Sequence, residues 1–211
     1  GGGNVAIYQY VSPQIWAWHS SRVHKIKQDV ERMYVILPFE EEFFAGYDCE
    51  VDYVGHPLLD VIDRHEVPAD FRKEHGLSDK PLIALLPGSR RQEIKSMLNE
   101  MVQMVELFAD HQFVIAGAPS VEEEFYQDLI RDFELPPDRL KLVSGQTYNL
   151  VMEAEAALVT SGTAALETAL LGTPEVVCYK GSPISYWLAR RLVNVPYISL
   201  VNLIVEREVV R

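Results

Sequence analysis

The chain has 211 residues, 48% hydrophobic and 24% charged, enough to bury one or two compact cores. Its 31 Asp and Glu against 19 Lys and Arg give a net charge of −12, which argues against a nucleic-acid binder, whose affinity comes from phosphate neutralisation. No apolar run approaches the ~18–20 residues of a membrane span, and Cys49 and Cys178, far apart and each in or beside an apolar segment, read as reduced core thiols of a cytosolic protein.

Gly1-Gly-Gly3 leads straight into an apolar stretch, as a cut boundary does. Residues 5–11 read as a strand, and Ser12-Pro13 fits a helix start with proline at the first helical position, the helix running to about residue 27. Residues 33–37 are a short buried strand stopped by Pro38, residues 40–47 are helical, and the strand 51–54 ends at Gly55-His56-Pro57. Past Pro57 the pattern becomes regular. A helix over 68–76 carries Gly76 at its C-terminal cap. Strands at 82–86, 112–116, 140–143, 156–160 and 175–179 then alternate with helices near 91–109, 121–133, 147–154, 164–171 and 184–193, before a last apolar stretch from Tyr197. Such alternation implies a parallel sheet covered on both faces. The expected fold class is therefore α/β: a Rossmann-like, doubly wound unit over 58–211, preceded in 1–57 by the tail of another α/β unit. There is neither an internal repeat nor a low-complexity linker.

Two strand–loop–helix junctions carry the chemistry. In Leu82-Ile-Ala-Leu-Leu-Pro-Gly-Ser-Arg-Arg-Gln-Glu93 and in Ala157-Leu-Val-Thr-Ser-Gly-Thr-Ala-Ala-Leu-Glu167, an apolar strand enters a Gly/Ser turn and then a helix. A turn of this kind aims unpaired helix N–H groups at whatever lies above the strand ends, a ready site for phosphate. Two of them in one unit suggest a sugar-nucleotide pocket. Gly88 allows close approach; Ser89, three residues before Gln92, has capping-box spacing; Arg90 lies at the positive helix end, where a guanidinium can fork onto a diphosphate. The same residues also read as a well-capped helix with solvated arginines. Ser161, Gly162 and Thr163 offer hydroxyls and a permissive backbone, and Glu167 lies one turn into its helix. A carboxylate there either accepts both hydroxyls of a ribose or merely complements the helix dipole.

The remaining candidates are weaker. Gly117-Ala-Pro-Ser120 closes a third strand and suits a pocket wall, while His56 reads as a turn or linker histidine. Arg22, Lys25 and Lys27, with His19 and His24, form an acid-free basic stretch, and Tyr186-Trp187-Leu-Ala-Arg190-Arg191 is a second basic, aromatic patch; either could face an anionic lipid surface. Trp16 and Trp18 serve as core anchors or as membrane contacts. No clustered His/Cys/Asp spacing suggests zinc, and no Gly-x-x-x-x-Gly-Lys-Ser/Thr run suggests a P-loop.

Taken in order, Tyr10-Val-Ser-Pro-Gln-Ile-Trp-Ala-Trp18, Val35-Ile-Leu-Pro-Phe-Glu40, Val54-Gly-His-Pro-Leu58, Leu85-Leu-Pro-Gly-Ser-Arg90 with Glu93, Thr160-Ser-Gly-Thr-Ala-Ala-Leu-Glu167 and Tyr197-Ile-Ser-Leu-Val-Asn-Leu203 resemble the lipid-A-disaccharide synthase family, glycosyltransferase family 19. Val176-Val-Cys-Tyr-Lys-Gly181 looks most like its Bacteroidetes-type members. The resemblance implies a GT-B fold of two Rossmann-like lobes. It implies inverting transfer of 2,3-diacylglucosamine from UDP-2,3-diacylglucosamine to 2,3-diacylglucosamine 1-phosphate (lipid X), giving the β-1,6 lipid A disaccharide 1-phosphate and UDP, without a metal or other cofactor. Carried onto this sequence, Gly88, Ser89, Arg90 and Glu93 line the diphosphate side of the UDP site with Arg90 stabilising the leaving group. Ser161, Gly162 and Thr163 line the same pocket, and Glu167 holds the ribose.

Acylated substrates place such an enzyme in the cytoplasm, peripheral on the inner face of the inner membrane of a Gram-negative cell. Trp16, Trp18, Arg22, Lys25, Trp187, Arg190 and Arg191 are then the candidate membrane or acceptor patch. Family members carry a further N-terminal stretch with a Gly-rich turn and acidic residues proposed as the general base, and C-terminal helices that contribute to a homodimer. Neither matches a segment here, so the chain reads as a fragment, inactive alone, whose catalytic base lies outside it. Val201 stands where many members have proline. The alternatives are another GT-B UDP-sugar enzyme, akin to the peptidoglycan N-acetylglucosaminyltransferase or a UDP-sugar epimerase, and a non-catalytic nucleotide-binding module.

Overall fold

The computed structural model describes residues 5–180, 200–205 and 207–209. They divide into two units, 5–61 and the remainder from 62 onward.

In the first unit, β1 (Tyr8–Tyr10), β2 (Arg32–Val35) and β3 (Asp52–Tyr53) pair in parallel, in that order. Around them lie α1 (Ile15–Trp18), α2 (Val23–Asp29) and α3 (Phe39–Ala45). Ile15, Val23, Met33, Val35, Phe44 and Cys49 form the core. Two expectations are corrected here. The first strand spans three residues rather than 5–11, because Val11 turns to a left-handed φ of 69°. The long helix to residue 27 is broken by His19 (φ −138°, ψ 45°) and a 3-10 turn at Ser20–Arg22. Ile15 and Val23, before and after the break, both pack in this core. Glu40 is buried there as well: its carboxylate accepts from the N–H groups of Ile36 (3.2 Å) and Leu37 (2.9 Å). Burial pushes its pKa up, against the pull of those two donors.

A short helix, α4 (Pro57–Ile62), follows with Pro57 in its first position and was not among the expected elements. In the second unit the helix expected over 68–76 contracts to α5 (Phe71–Glu74), with Gly76 beyond it at φ +59°. The regular alternation then appears: β4 (Leu82–Leu86), α6 (Arg91–Val102), β5 (Gln112–Gly117), α7 (Glu123–Ile130), β6 (Leu140–Ser144), α8 (Thr147–Glu153), β7 (Ala156–Thr160), α9 (Thr163–Leu170) and β8 (Glu175–Cys178). A further helix spans Leu200–Ile204. The helix expected over 184–193 lies outside the described residues. α6 stops short of residue 109 and tightens into a 3-10 turn at Gln103–Glu106, which still buries Val105 before the chain enters β5.

All five strands are parallel, in the order β6-β5-β4-β7-β8. Side chains alternate between the faces, as a pleated strand requires. Leu82, Ala84, Leu86, Val114, Ala116, Ala157 and Val159 pack on one side with Leu150 and Val151 of α8 and Ala165 of α9. Ile83, Leu85, Phe113 and Ile115 pack on the other, against Ile94, Met97, Leu98, Met101 and Val102 of α6 and Tyr126 of α7. The α6 residues recur at helical spacing, which makes one apolar stripe. The doubly wound, parallel α/β class expected from the alternation is the one observed.

Glu175, at the start of β8, breaks the apolar rule. Neither carboxyl oxygen has a hydrogen-bond partner among the described residues, and burial pushes its pKa from 4.5 to about 7. The folded chain therefore holds this proton more tightly than the unfolded one, so the residue's contribution to stability is complete below pH 4.5 and is lost as the pH rises through 7. Glu175→Gln is expected to raise the unfolding temperature at pH 8 and leave it nearly unchanged at pH 4, a difference that thermal unfolding against pH measures directly.

Candidate functional site

The sheet order places the two junctions side by side. β4 pairs directly with β7, Leu86 opposite Val159, so their C-terminal ends lie about 5 Å apart, one strand spacing. The strand order reverses there: the chain moves outward from β4 to β5 and β6, then returns to β4's other side as β7. In open parallel sheets such a switch point opens a crevice above the strand ends, bounded by helix N-termini. α6 and α9 start there, one on each face of the sheet.

At the first junction Gly88 has a φ of +109°, and a Cβ on it would meet Glu93 Oε2 at 2.9 Å and Glu93 Cβ at 3.1 Å. Glycine is thus required by conformation and by space. The structure corrects the capping expectation. Arg90, not Ser89, is the N-cap of α6 (φ −107°, ψ 139°), and no side chain caps that terminus. The chain stays extended one residue longer than the Ser89–Gln92 spacing implied, which keeps the first N–H groups of α6 free of a side-chain cap. Glu93 Oε1 instead accepts from Arg90 Nη1 at 3.0 Å. The Arg90 side chain is 82% exposed, so this ion pair is a weak surface contact, on the order of 0–1 kcal/mol, that an anionic ligand can outcompete. A negative Glu93 orients Arg90 and does not itself attract a diphosphate.

At the second junction Gly162 is the N-cap of α9 (φ 157°, ψ −158°), again with no side-chain cap and no acid in the first turn. Nothing lies within 4 Å of a Cβ placed on it. Thr163 opens the helix, exposed, and Ser161 is half-buried with its N–H donating to Cys178 O at 3.0 Å. Glu167 is half-buried. Burial pushes the Glu167 pKa up while the Tyr148 phenol pulls it down, and the Tyr148 pKa rises through burial and the carboxylate.

The neighbouring strand ends supply residues that the sequence alone did not single out. β6 leads through Ser144, Gly145 (φ +70°) and Gln146 into α8, a third glycine turn at the same sheet edge. Ser144 Oγ and Thr160 Oγ1 are buried without hydrogen-bond partners among the described residues. Their signal in the sequence was a hydroxyl residue closing a strand before a Gly or Ser-Gly turn. At Gly117 a Cβ would meet Ser144 Oγ at 2.6 Å, so β5 and β6 close tightly.

Other expected site residues lie elsewhere. Trp16 packs edge-on against Phe39, with ring centroids 5.0 Å apart, as a core anchor does. Arg22 and Lys25 are exposed in the first unit. Trp187, Arg190, Arg191 and the Trp18 side chain lie outside the described residues. His56 accepts at Nδ1 from the Leu58 N–H at 3.2 Å, as a turn histidine does, and burial lowers its pKa. Both cysteines are free, and burial raises both thiol pKa values. An open groove of about 400 Å³ lies at the opposite ends of β4 and β7, beside Arg72, Asp79, Lys80, Glu153 and Glu155. Its Arg72 is already engaged by Glu153 Oε2 (2.7 Å) and by three backbone carbonyls. Among the described residues no group of three or more His, Cys, Asp or Glu is placed to hold a metal ion.

Gly88→Ala is expected to cost about 1–3 kcal/mol, by backbone strain and the Glu93 clash. Gly46→Ala, at an ordinary helical φ of −59° with its nearest atom at 3.4 Å, should cost less than about 1 kcal/mol. Urea unfolding of both variants checks the contrast.

Comparison with known proteins agrees with this geometry. The family model of lipid-A-disaccharide synthetase matches residues 2–211. Lipid-A-disaccharide synthase from Syntrophus aciditrophicus (strain SB) is 40% identical over 210 residues, covering 97% of this chain and 54% of its own length. The synthase from Myxococcus xanthus (strain DK1622) is 41% identical over 211 residues, covering 98% and 54%. The chain thus spans about half the length of the curated relatives it matches. Among solved structures, a Listeria monocytogenes protein described as a UDP-N-acetylglucosamine 2-epimerase superposes with a TM-score of 0.55 at 14% identity, covering 85% of this chain and 51% of its own. S. aureus MnaA, in a UDP co-structure, gives 0.55 at 12% identity, covering 87% and 51%. At such identities these two speak for the fold alone. The family match along nearly the whole chain, with both junctions meeting at the switch point, establishes that the chain belongs to the lipid-A-disaccharide synthetase family.

Proposed function

We propose that this chain carries the UDP-sugar-binding unit of an inverting lipid glycosyltransferase. The intact protein transfers 2,3-diacylglucosamine from UDP-2,3-diacylglucosamine to the 6-hydroxyl of lipid X, releasing UDP. The observation that carries this reading is the pairing of β4 with β7, which sets two uncapped helix starts beside each other in a chain of this family. Residues 58–211 form the donor side in this reading, and 1–57 belong to the acceptor side.

The chemistry required is modest. As the glycosidic bond to UDP breaks, negative charge collects on the diphosphate. The N–H groups of α6 and α9, and the Arg90 guanidinium, are fixed donors for that charge and need little reorganisation when it develops. Gly88 and Gly162 let the backbone come close, Ser89, Ser161 and Thr163 add hydroxyl donors, and Glu93 acts through Arg90. Glu167, one turn into α9, accepts from the ribose hydroxyls. Tyr148 keeps its carboxylate available despite partial burial.

Both substrates are acylated, so the reaction takes place at a membrane surface, on the cytoplasmic side of the inner membrane. No described helix is long and apolar enough to cross a bilayer. Arg22 and Lys25, exposed and close in sequence, suit attraction to anionic headgroups, whereas Trp16, half-buried, packs against Phe39.

Calorimetric titration of UDP, with ADP as the control, tests the pocket. UDP is expected to bind at least tenfold more tightly than ADP, and Arg90→Ala to weaken UDP by about 10–100-fold, the scale of a hydrogen bond between charged groups. Equal affinity for UDP and ADP, or an unchanged Arg90→Ala variant, rejects this placement of the diphosphate. Co-sedimentation with vesicles containing anionic lipid tests the surface: Arg22→Glu with Lys25→Glu should reduce binding more than tenfold at low salt. Binding that is insensitive to both salt and the double change places the dock elsewhere.

A further inference from the structure

The two arginines at the start of α6 are not equivalent. Arg90 pairs with Glu93 of its own helix and is 82% exposed. Arg91 reaches across to α7. Its Nη2 donates to the carboxylate of Glu122, the N-cap of that helix, and its guanidinium carbon lies 4.9 Å from the centroid of the Phe125 ring. α7 is itself anchored to the sheet. Tyr126 is fully buried in the cluster that covers this face, and its hydroxyl accepts from the Ala118 N–H, just past the end of β5, at 2.9 Å. Phe125, half-buried, packs on the same cluster. Arg91 is thus the first residue of α6 and a link from that helix to a fixed neighbour.

We propose that Arg91 is a positioning residue for the turn from Gly88 to Arg90, clasping the start of α6 against α7 so that its N–H groups stay in place for a diphosphate. The inference rests on the reading of that turn as the diphosphate site. A helix start is ordinarily held by a side chain that folds back on its first N–H groups. At α6 no side chain does so, and Gly88, at φ +109°, has no Cβ to stiffen the turn before it. A cap would occupy the donors that an anion needs. A clasp from the side holds the first turn and leaves those donors open. The ion pair and the aromatic face fix one guanidinium from two directions, each contact modest at an exposed site. Arg91 is also engaged as a charge: Glu122 neutralises it, and Glu123 and Glu124 follow in the first turn of α7. Removing Glu122 therefore separates two effects. Simple attraction predicts tighter binding of an anion when an acid is lost nearby, whereas a broken clasp predicts weaker binding.

Calorimetric titration of UDP and of uridine into the full chain tests this, for the wild type, Arg91→Ala, Arg91→Lys, Glu122→Ala and the double variant Arg91→Ala with Glu122→Ala, with thermal unfolding of each. Arg91→Ala is expected to weaken UDP about fivefold and Glu122→Ala about threefold, the scale of exposed contacts of these two kinds. The double variant should bind no more weakly than Arg91→Ala alone, because both changes remove one clasp. Arg91→Lys, which keeps a cation beside the ring and the acid, should stay within about twofold of the wild type. Uridine, which lacks the phosphates, should bind every variant alike. Tighter UDP binding by Glu122→Ala overturns the inference and makes Arg91 a charge that acts on the diphosphate itself. Equal weakening of UDP and uridine overturns it too, since a merely structural role loosens both. If Arg90→Ala weakens UDP and neither Arg91→Ala nor Glu122→Ala does, α7 does not hold the turn, and the diphosphate assignment stands. If the folded wild type does not bind UDP, or Arg90→Ala leaves its affinity unchanged, the diphosphate assignment itself fails and the inference falls with it. Should Arg91→Ala unfold the chain, Glu122→Ala, at an exposed position, decides by the sign of its effect.

Discussion

The direct pairing of β4 with β7 is the constraint on which the candidate site depends. β4 is wholly buried and receives neighbours on both edges, so its two flanks lead to different parts of the sequence. On one side the chain proceeds outward through β5 and β6; on the other it returns as β7. Backbone hydrogen bonding alone therefore joins segments more than seventy residues apart, and the helices after β4 and β7 must start from adjacent points. Each start leaves N–H groups with no intrahelical partner and no side-chain cap. In the proposed reading, two such ends above one crevice would serve an anion without any cluster of cations, which is compatible with a chain of net charge −12.

Around that site, local economy governs the side chains. Gly88 allows Glu93 to fold back under the turn, and Glu93 in turn holds the otherwise exposed Arg90. The attraction between them is weak because water screens it, so Arg90 is directed but remains available. Glu167 is the opposite case. It is partly desolvated, which favours its protonated form, and the Tyr148 hydroxyl opposes that tendency. Glu175, at the other end of the sheet, has no such compensation among the described residues, and its pKa rises much further.

Much of the second unit was legible from periodicity. β4 runs Leu82–Leu86 as its unbroken apolar stretch suggested, and the alternation of strands with helices announced a parallel sheet with two covered faces. The failures have local causes. His19 interrupts the expected first helix with non-helical backbone angles, and Ile15 and Val23 on either side of it still pack in one core. Arg90 replaces Ser89 as the N-cap because the glycine turn keeps the chain extended one residue further, a φ/ψ preference that a capping-box pattern does not encode. Trp16, which read as a core anchor or a membrane contact, packs edge-on against Phe39, more than twenty positions away.

The candidate site divides in the same way. Gly88, Arg90, Gly162 and Glu167 were visible from sequence because turn chemistry and helix starts are short-range: a glycine, a hydroxyl and a charge at fixed offsets report a geometry confined to a few residues. A shared pocket for the two turns was suggested by the sequence; that β4 and β7 are direct neighbours was not visible, since strand order is decided by which buried faces pack together across the sheet. Nor could spacing bring His65 to Tyr148 and Asn149, for they come from segments more than eighty residues apart that meet only in the folded unit. The sequence by itself determined the α/β class, the family and the chemistry of each turn. Only the tertiary structure decided which strands bring their turns side by side, because long-range contacts depend on the burial of the whole sheet and not on any local run of residues.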